Sequence, residues 1–421
     1  MSGKKGFIFL MLCALLFTGL SSAGAQNVIK IGFLTPLSGN NANYGKQCLQ
    51  AGQMIADIIN EDYPQSALEL GPGKGLPNLG GARIQLVVAD HKSDPEIAVA
   101  EAKRLIAEEH VVAITGQYTS AITKAVAVVT EQYKIPLLTA GSAVSLTDGT
   151  TDLSWYFRFG LNDATYIKDT FAFVDGLNKM KKAGLKTVAF MSEDTEFGAN
   201  IVKQEVKYAK EFGMEVVANI IYPSNSTNLT SEALKIKKAN PDVLIMASYT
   251  SDGILFLNTI KEQNWVPRML IGQRGGFVQQ DFLDALGKDT EYICTTGGWS
   301  SDLALPASKE LVKLYPSKFS NGIDLNEGHV KDMSNVLILA VAINQAGTTE
   351  ANALKKALMN LKLDLSKWMM PWSGVTMDSR GQNTSSAGVI MQMLGGKYKT
   401  VYPAKAQAAE AVFAMPAWNK R

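Results

Sequence analysis

The chain has 421 residues, 46% of them hydrophobic and 19% charged, with a formal net charge of +2. Such a balance favours neither nucleic acid nor an anionic membrane as a partner, because both are drawn to strongly basic surfaces. The length exceeds the roughly 250–300 residues at which single cores stop growing, so two lobes are expected.

Lys4 and Lys5 form a short basic start, residues 7–20 are an apolar stretch too short to span a bilayer comfortably, and Ala23-Gly24-Ala25 offers small residues for cleavage. Together they make a secretory signal over residues 1–25, cut after Ala25, and so an exported, periplasmic protein. Cys13 lies inside the apolar run behind the bulky Met11 and Leu12, which argues against a lipid attachment site. The two lysines account for the whole formal charge, so the mature chain is neutral. It keeps only Cys48 and Cys294, which read as buried small hydrophobes rather than a bridge.

The mature chain opens with a strand at Val28–Thr35, a loop at 36–43 and a helix at 44–60. The loop, Thr35-Pro-Leu-Ser-Gly-Asn-Asn-Ala-Asn-Tyr44-Gly45, lacks the glycine pattern that cradles a dinucleotide. The Gly/Pro-rich stretch at 71–81 reads as a surface loop; no Gly-Lys-Ser/Thr follows, so it is not a phosphate loop. Residues 83–89, 111–115 and 135–139 read as buried strands, with helical spacing at 94–109 and 119–133 between them. Such alternation indicates a parallel sheet covered on both faces.

Residues 155–163 carry the chain onward, and the pattern restarts. Strands are expected at 187–191, 215–222, 242–247 and 269–272, and an apolar strand at 292–295. Helices are expected at 164–182, 197–212, 231–238, 251–263 and 278–286. This second series makes a separate sheet. Helices at 308–319, 330–345 and 350–361 have too few strands for a third lobe and are expected to return and cover the first. Pro371-Trp-Ser-Gly374 breaks the chain before two short strands near 387–394 and 398–402. The expected bodies are 26–160 with 301–372, and 161–300 with 373–421.

His91, His110 and His329 lie in no zinc spacing, nucleophile elbow or Cys–His signature, so an exported enzyme is the weaker reading. No cofactor and no metal is expected.

Several segments, in order and spacing, resemble the periplasmic binding proteins of the branched-chain amino-acid type, which serve ATP-driven importers. They are Ile29-Lys-Ile-Gly-Phe-Leu-Thr-Pro-Leu-Ser-Gly39, Tyr44-Gly45, Ala89-Asp90 before Asp94-Pro95, and Ile114-Thr-Gly-Gln-Tyr-Thr-Ser120. Ile135-Pro-Leu-Leu-Thr-Ala-Gly141 and Glu193-Asp-Thr-Glu-Phe-Gly198 complete the set. The resemblance runs from Val28 to about Gln382. It implies an α/β fold of two doubly wound parallel-sheet lobes (the type I clamshell), joined by a three-crossing hinge near 160–162, 297–300 and 372–375. It also implies a small-molecule ligand, permease subunits of an ABC transporter as partners, and a monomer. The same clamshell could instead present its ligand to a signalling receptor.

Parallel sheets bind ligands at the carboxyl ends of their strands. Thr119 and Ser120 open a helix there, and their hydroxyls and free N–H groups suit a carboxylate, although an ordinary N-cap has the same residues. The resemblance implies main-chain groups and a hydroxyl from Gly141, Ser142 and Ala143, an aromatic closing over the ligand at Tyr44, and contacts from Phe197, Tyr249 and Arg274. Amino-acid binders of the family usually carry a glutamate where Arg274 stands. A guanidinium would repel an ammonium and pair with a carboxylate. An organic acid, aromatic or dicarboxylic, therefore stands beside an amino acid as the candidate ligand. The bland alternative pairs Arg274 with Asp252 or Glu193.

Overall fold

The computed structural model describes residues 27–139, 141–319 and 323–421. The expected signal at 1–25 lies outside them. Five strands form the first sheet: β1 (Val28–Thr35), β2 (Arg83–Asp90), β3 (Ile114–Thr115), β4 (Leu137–Leu138) and β5 (Tyr156–Phe157). Their spatial order is β2-β1-β3-β4-β5, every pairing parallel. The second sheet has β6 (Thr187–Glu193), β7 (Glu215–Tyr222), β8 (Val243–Ala247), β9 (Met269–Gly272), β10 (Cys294–Gly297), β11 (Val389–Leu394) and β12 (Lys397–Tyr402). Its order is β12-β11-β10-β9-β8-β6-β7. β6 to β10 are parallel and repeat the first sheet's winding, while β11 and β12 add an antiparallel end.

Parallel strands cannot be joined by tight turns, so helices cover both faces. In chain order they are α1 (Ala42–Asn60), α2 (Pro95–Ala107), α3 (Ser120–Tyr133), α4 (Asp163–Lys181), α5 (Glu196–Glu211) and α6 (Thr230–Ala239). Then come α7 (Thr250–Glu262), α8 (Gln280–Leu286), α9 (Pro306–Lys318), α10 (Glu327–Ala346) and α11 (Ala351–Met359). On one face of the first sheet α1 and α10 bury Met54, Ile55, Leu337 and Ile338 with Phe33. On the other, α2 and α3 bury Ala98, Leu105 and Val126 with Leu34 and Ile114. α9 and α11 join the first cluster through Leu311 and Leu354, so the late helical section does cover the first sheet. α4 and α5 cover one face of the second sheet, and α6, α7 and α8 the other.

β3 and β4 are shorter than expected, two residues each, yet the chain beside them stays paired: Gly32 N donates to Ala113 O at 2.9 Å. The 71–81 loop is no mere surface turn. Leu76 is fully buried in the first core and forms an isolated bridge with Ala82. Cys48 and Cys294 are buried and unbridged, as expected.

The chain leaves the first sheet after β5, returns after β10, and enters the second sheet again at β11. That last passage comes later than 372–375. Trp372 is buried in the first core, and Gln382 and Asn383 are still held beside β5: Arg158 Nε donates to Gln382 Oε1 at 2.6 Å, and Asn383 N to Arg158 O at 2.9 Å. A buried guanidinium needs acceptors, and this one anchors the returning segment to the first sheet.

Candidate binding cleft

In a doubly wound sheet the chain turns opposite ways from adjacent strands at one point, and the loops there part to leave a crevice at the carboxyl ends. The first sheet has that switch point between β1 and β3, and the second has its counterpart between β6 and β8. The segments that follow these strands face each other. From the first come Tyr44 on α1 and the run Gln117–Ser120 that enters α3; from the second come Phe197 on α5 and Tyr249 before α7.

These residues line one small cavity of about 50 Å³. Gly141 and Ser142 after β4, Arg274 and Gly275 after β9, Val278, Gln279, and Glu327, Gly328 and Lys331 of α10 complete it. Of the nine expected site residues it gathers eight: Tyr44, Thr119, Ser120, Gly141, Ser142, Phe197, Tyr249 and Arg274. Ala143 is the exception. Its side chain lies in the first sheet's core and its carbonyl accepts from Arg158 Nη1 at 2.8 Å, because the chain turns away after Ser142 into a 3₁₀ turn at Val144–Leu146. Gly141 is present but its polar groups are engaged: the carbonyl accepts from Arg158 and Tyr156, and the amide donates to Thr139.

Aromatic rings make most of the wall. Tyr118 lies 4.4 Å from Tyr44 and 5.6 Å from Tyr249, centroid to centroid, and Tyr249 lies 5.6 Å from Phe197. The row runs unbroken from one lobe to the other. Tyr44 fits because residue 328 is glycine; a Cβ there would lie 2.1 Å from its phenol oxygen. Thr119 is the N-cap of α3 but makes no side-chain cap bond, so the first amides of that helix have no partner within it.

Arg274 is the charged centre. It sits at φ +41°, a backbone state that non-glycine residues adopt at a cost, in a turn completed by Gly275 at φ +45°. Its Nη2 meets Asp163 Oδ1 at 2.5 Å and the Ser142 hydroxyl, and the guanidinium lies 4.0 Å over the Tyr166 ring and 5.3 Å over Phe197. Burial works against its charge, but Asp163 foremost outweighs that and holds its pKa above the ordinary value. Nη1 is buried with no partner. The expected alternatives, Asp252 and Glu193, do not reach it. Asp252 accepts from Asn225 N at 2.9 Å, and Glu193 from Tyr249 N at 3.3 Å and Thr195 at 3.2 Å. Burial pushes the Glu193 carboxyl up to about 8.

Among the described residues lining the cleft Glu327 is the one acid, and it is engaged by the Tyr166 hydroxyl and by Lys331 at 3.4 Å. Sequence reasoning missed Gln117, Tyr118, Glu327 and Lys331. The first two stand inside the quoted 114–120 segment. The others lie in the first turns of α10, whose start was expected three residues late. Asn326 caps that helix with His329 closing a capping box, and an asparagine ahead of an apolar run was the available signal. The histidines do not converge: His329 Nε2 meets Gln47 at 3.0 Å, and His91 Nδ1 accepts from Ser93 N at 3.1 Å. Among the described residues no group of His, Cys, Asp and Glu could hold a metal.

A family model described as "Periplasmic binding protein" matches residues 28–397. The Leu/Ile/Val-binding protein homolog 7 of Brucella suis is 29% identical, the match covering 97% of this chain and 98% of that one. Among solved structures, the branched-chain amino acid transporter substrate-binding protein LivJ of Streptococcus pneumoniae, in complex with isoleucine, superposes with a TM-score of 0.74 at 20% identity. That match covers 92% of this chain and all of LivJ. An ABC-transporter solute-binding protein of R. palustris, in complex with benzoate, gives 0.73 at 20% identity, over 93% and 99%. The two doubly wound lobes, the cleft at their facing switch points and the match along nearly the whole chain agree: the chain belongs to the periplasmic binding protein family, a class of solute binders rather than enzymes.

Proposed function

We propose that this protein captures a small organic carboxylate with an apolar or aromatic body and delivers it, as a monomer in the periplasm, to the permease of an ABC importer. The observation that carries the ligand class is the unpartnered Nη1 of Arg274, a buried cationic donor at the wall of an aromatic cleft. A buried donor left without an acceptor is costly, and a ligand carboxylate supplies the missing bond in charge-assisted form. The open amides at the start of α3 and the Thr119 and Ser120 hydroxyls favour the same negative charge. An ammonium finds little here, since Glu327 is already shared by Tyr166 and Lys331. The R. palustris relative's benzoate and the LivJ isoleucine both bear a carboxylate, and only the second bears an ammonium.

In this reading residues 26–160 with 301–387 form one jaw and 161–300 with 388–421 the other. Segment 373–387 goes with the first because of its bonds to Arg158 and Phe159. Contacts from both jaws to one ligand favour the shut state. Titration calorimetry with benzoate and isoleucine tests the assignment. Benzoate is expected to bind more tightly than isoleucine, and Arg274→Gln to lose about 30-fold or more for benzoate, as when one partner of a buried charged pair is truncated. Equal benzoate affinity in the two proteins would remove Arg274 from the site.

A further inference from the structure

A second cavity, about 710 Å³, adjoins the cleft. Ligand pockets are commonly ~300–1,000 Å³, so the cleft cavity of about 50 Å³ is small for a whole ligand while its neighbour lies within that range. Val278 and Glu327 line both and form the partition between them. The partition is not covalent: Asn326 Nδ2 donates to Val278 O at 3.1 Å, a contact from the start of α10 in one jaw to the turn before α8 in the other. Jaw opening breaks it.

The larger cavity is lined both by apolar residues, Val278, Leu283 of α8, Trp299 of the second crossing, Met391 and Met393 of β11 and Tyr398 of β12, and by charged ones, among them Asp284, Lys288, Asp324 and Lys397. The polar tips of its two aromatics are used internally: Trp299 Nε1 donates to Ser308 Oγ at 2.9 Å, and the Tyr398 hydroxyl to Phe277 O at 2.6 Å. What Tyr398 offers the cavity is apolar ring surface, while Trp299, 1% exposed, offers little. Thioether side chains beside them adapt to irregular apolar shapes.

Resting on the carboxylate reading above, we infer that the ligand is an elongated acid whose head lies at Arg274 and whose apolar tail passes between Val278 and Glu327 into the second cavity. The substrate class is then arylalkyl carboxylates, rather than acids as short as benzoate. Calorimetry with benzoate, phenylacetate, 3-phenylpropanoate and 4-phenylbutanoate reads this directly. Affinity is expected to rise about fourfold per added methylene, the factor for burying one such group. Leu283→Trp, which fills the cavity from α8, is expected to flatten that rise while leaving benzoate binding unchanged. Val312→Trp, entering from α9, serves the same purpose should the first variant fold poorly. A series that is flat or falls with length in the parent protein, or a rise that survives both fillings, overturns the tail site and leaves the carboxylate reading standing. Failure of every acid to bind overturns both.

Discussion

The two jaws of the cleft are built in different ways. The first presents groups that its winding supplies almost automatically: a helix start at Thr119–Ser120 and the turn at Gly141–Ser142, both following parallel strands. Any small anion could use them. The second presents side chains of individual character, Phe197, Tyr249 and Arg274, on the same kind of scaffold. On the function proposed above, the first jaw answers whether an anion is held, and the second answers which one. Arg274 also reaches across, since its Ser142 contact joins the jaws while its Asp163 partner opens α4 on its own side. On the function proposed above, one residue serves both recognition and closure.

The strongest way to break this contrast is to remove the anchor of the second jaw. Asp163→Asn leaves the guanidinium buried with no carboxylate. Breaking a buried pair by one partner generally costs about 3 kcal/mol or more, and urea unfolding is expected to show a loss of that size. A carboxylate ligand should then return part of it, by binding only the folded state. A variant within about 0.5 kcal/mol of the parent, the range of ordinary surface substitutions, would mean that the pair does not organise the jaw.

A pH test separates the jaws further. Glu193 ends β6 behind Tyr249 and is 1% exposed. Burial raises its pKa from 4.5 to about 8. A carboxyl raised on folding contributes stability that is full below about pH 4.5 and is lost as pH climbs through about 8, because the fold disfavours the ionised form. Glu193→Gln carries no such loss. Between pH 5 and 8 the variant should gain on the parent by roughly 3 kcal/mol, read as diverging melting temperatures. Parallel pH profiles would place the ionised carboxylate in a polar setting instead.

The contrast also explains what could be read from the chain. Hydrophobic period and strand ends placed β1, β7 and β9 at their observed bounds, and the strand–turn–helix rhythm pointed to loop residues that the fold brings to one cavity. Charge partnerships were not legible. Asp163 lies 111 residues before Arg274, and Tyr166 is 161 residues from Glu327, separations that only the packed lobes close. Ala143 lies outside the cavity lining for a local reason: a loop's sequence shows its polarity but not where its backbone turns. The third crossing was placed early because Pro371–Gly374 reads as a break, whereas the buried Arg158 holds the chain to the first sheet until after Asn383.

The smallest expected effect lies at the outer lip, where the jaws meet through exposed charge. Lys124 of α3 is 3.2 Å from Glu196 of α5, and Ser145 donates to the same carboxylate at 3.0 Å. Lys124 is 44% exposed, so the pair is worth at most about 1 kcal/mol, and water and salt screen it. Because it spans the jaws, its loss should act on closure rather than folding. Lys124→Ala is expected to weaken carboxylate binding by up to about fivefold at low salt. That difference should vanish near 1 M, where charges are screened beyond ~3 Å, while urea unfolding stays unchanged. A loss that persists at high salt would show that the lip acts through packing, and an unfolding shift would show that Lys124 supports its own lobe instead.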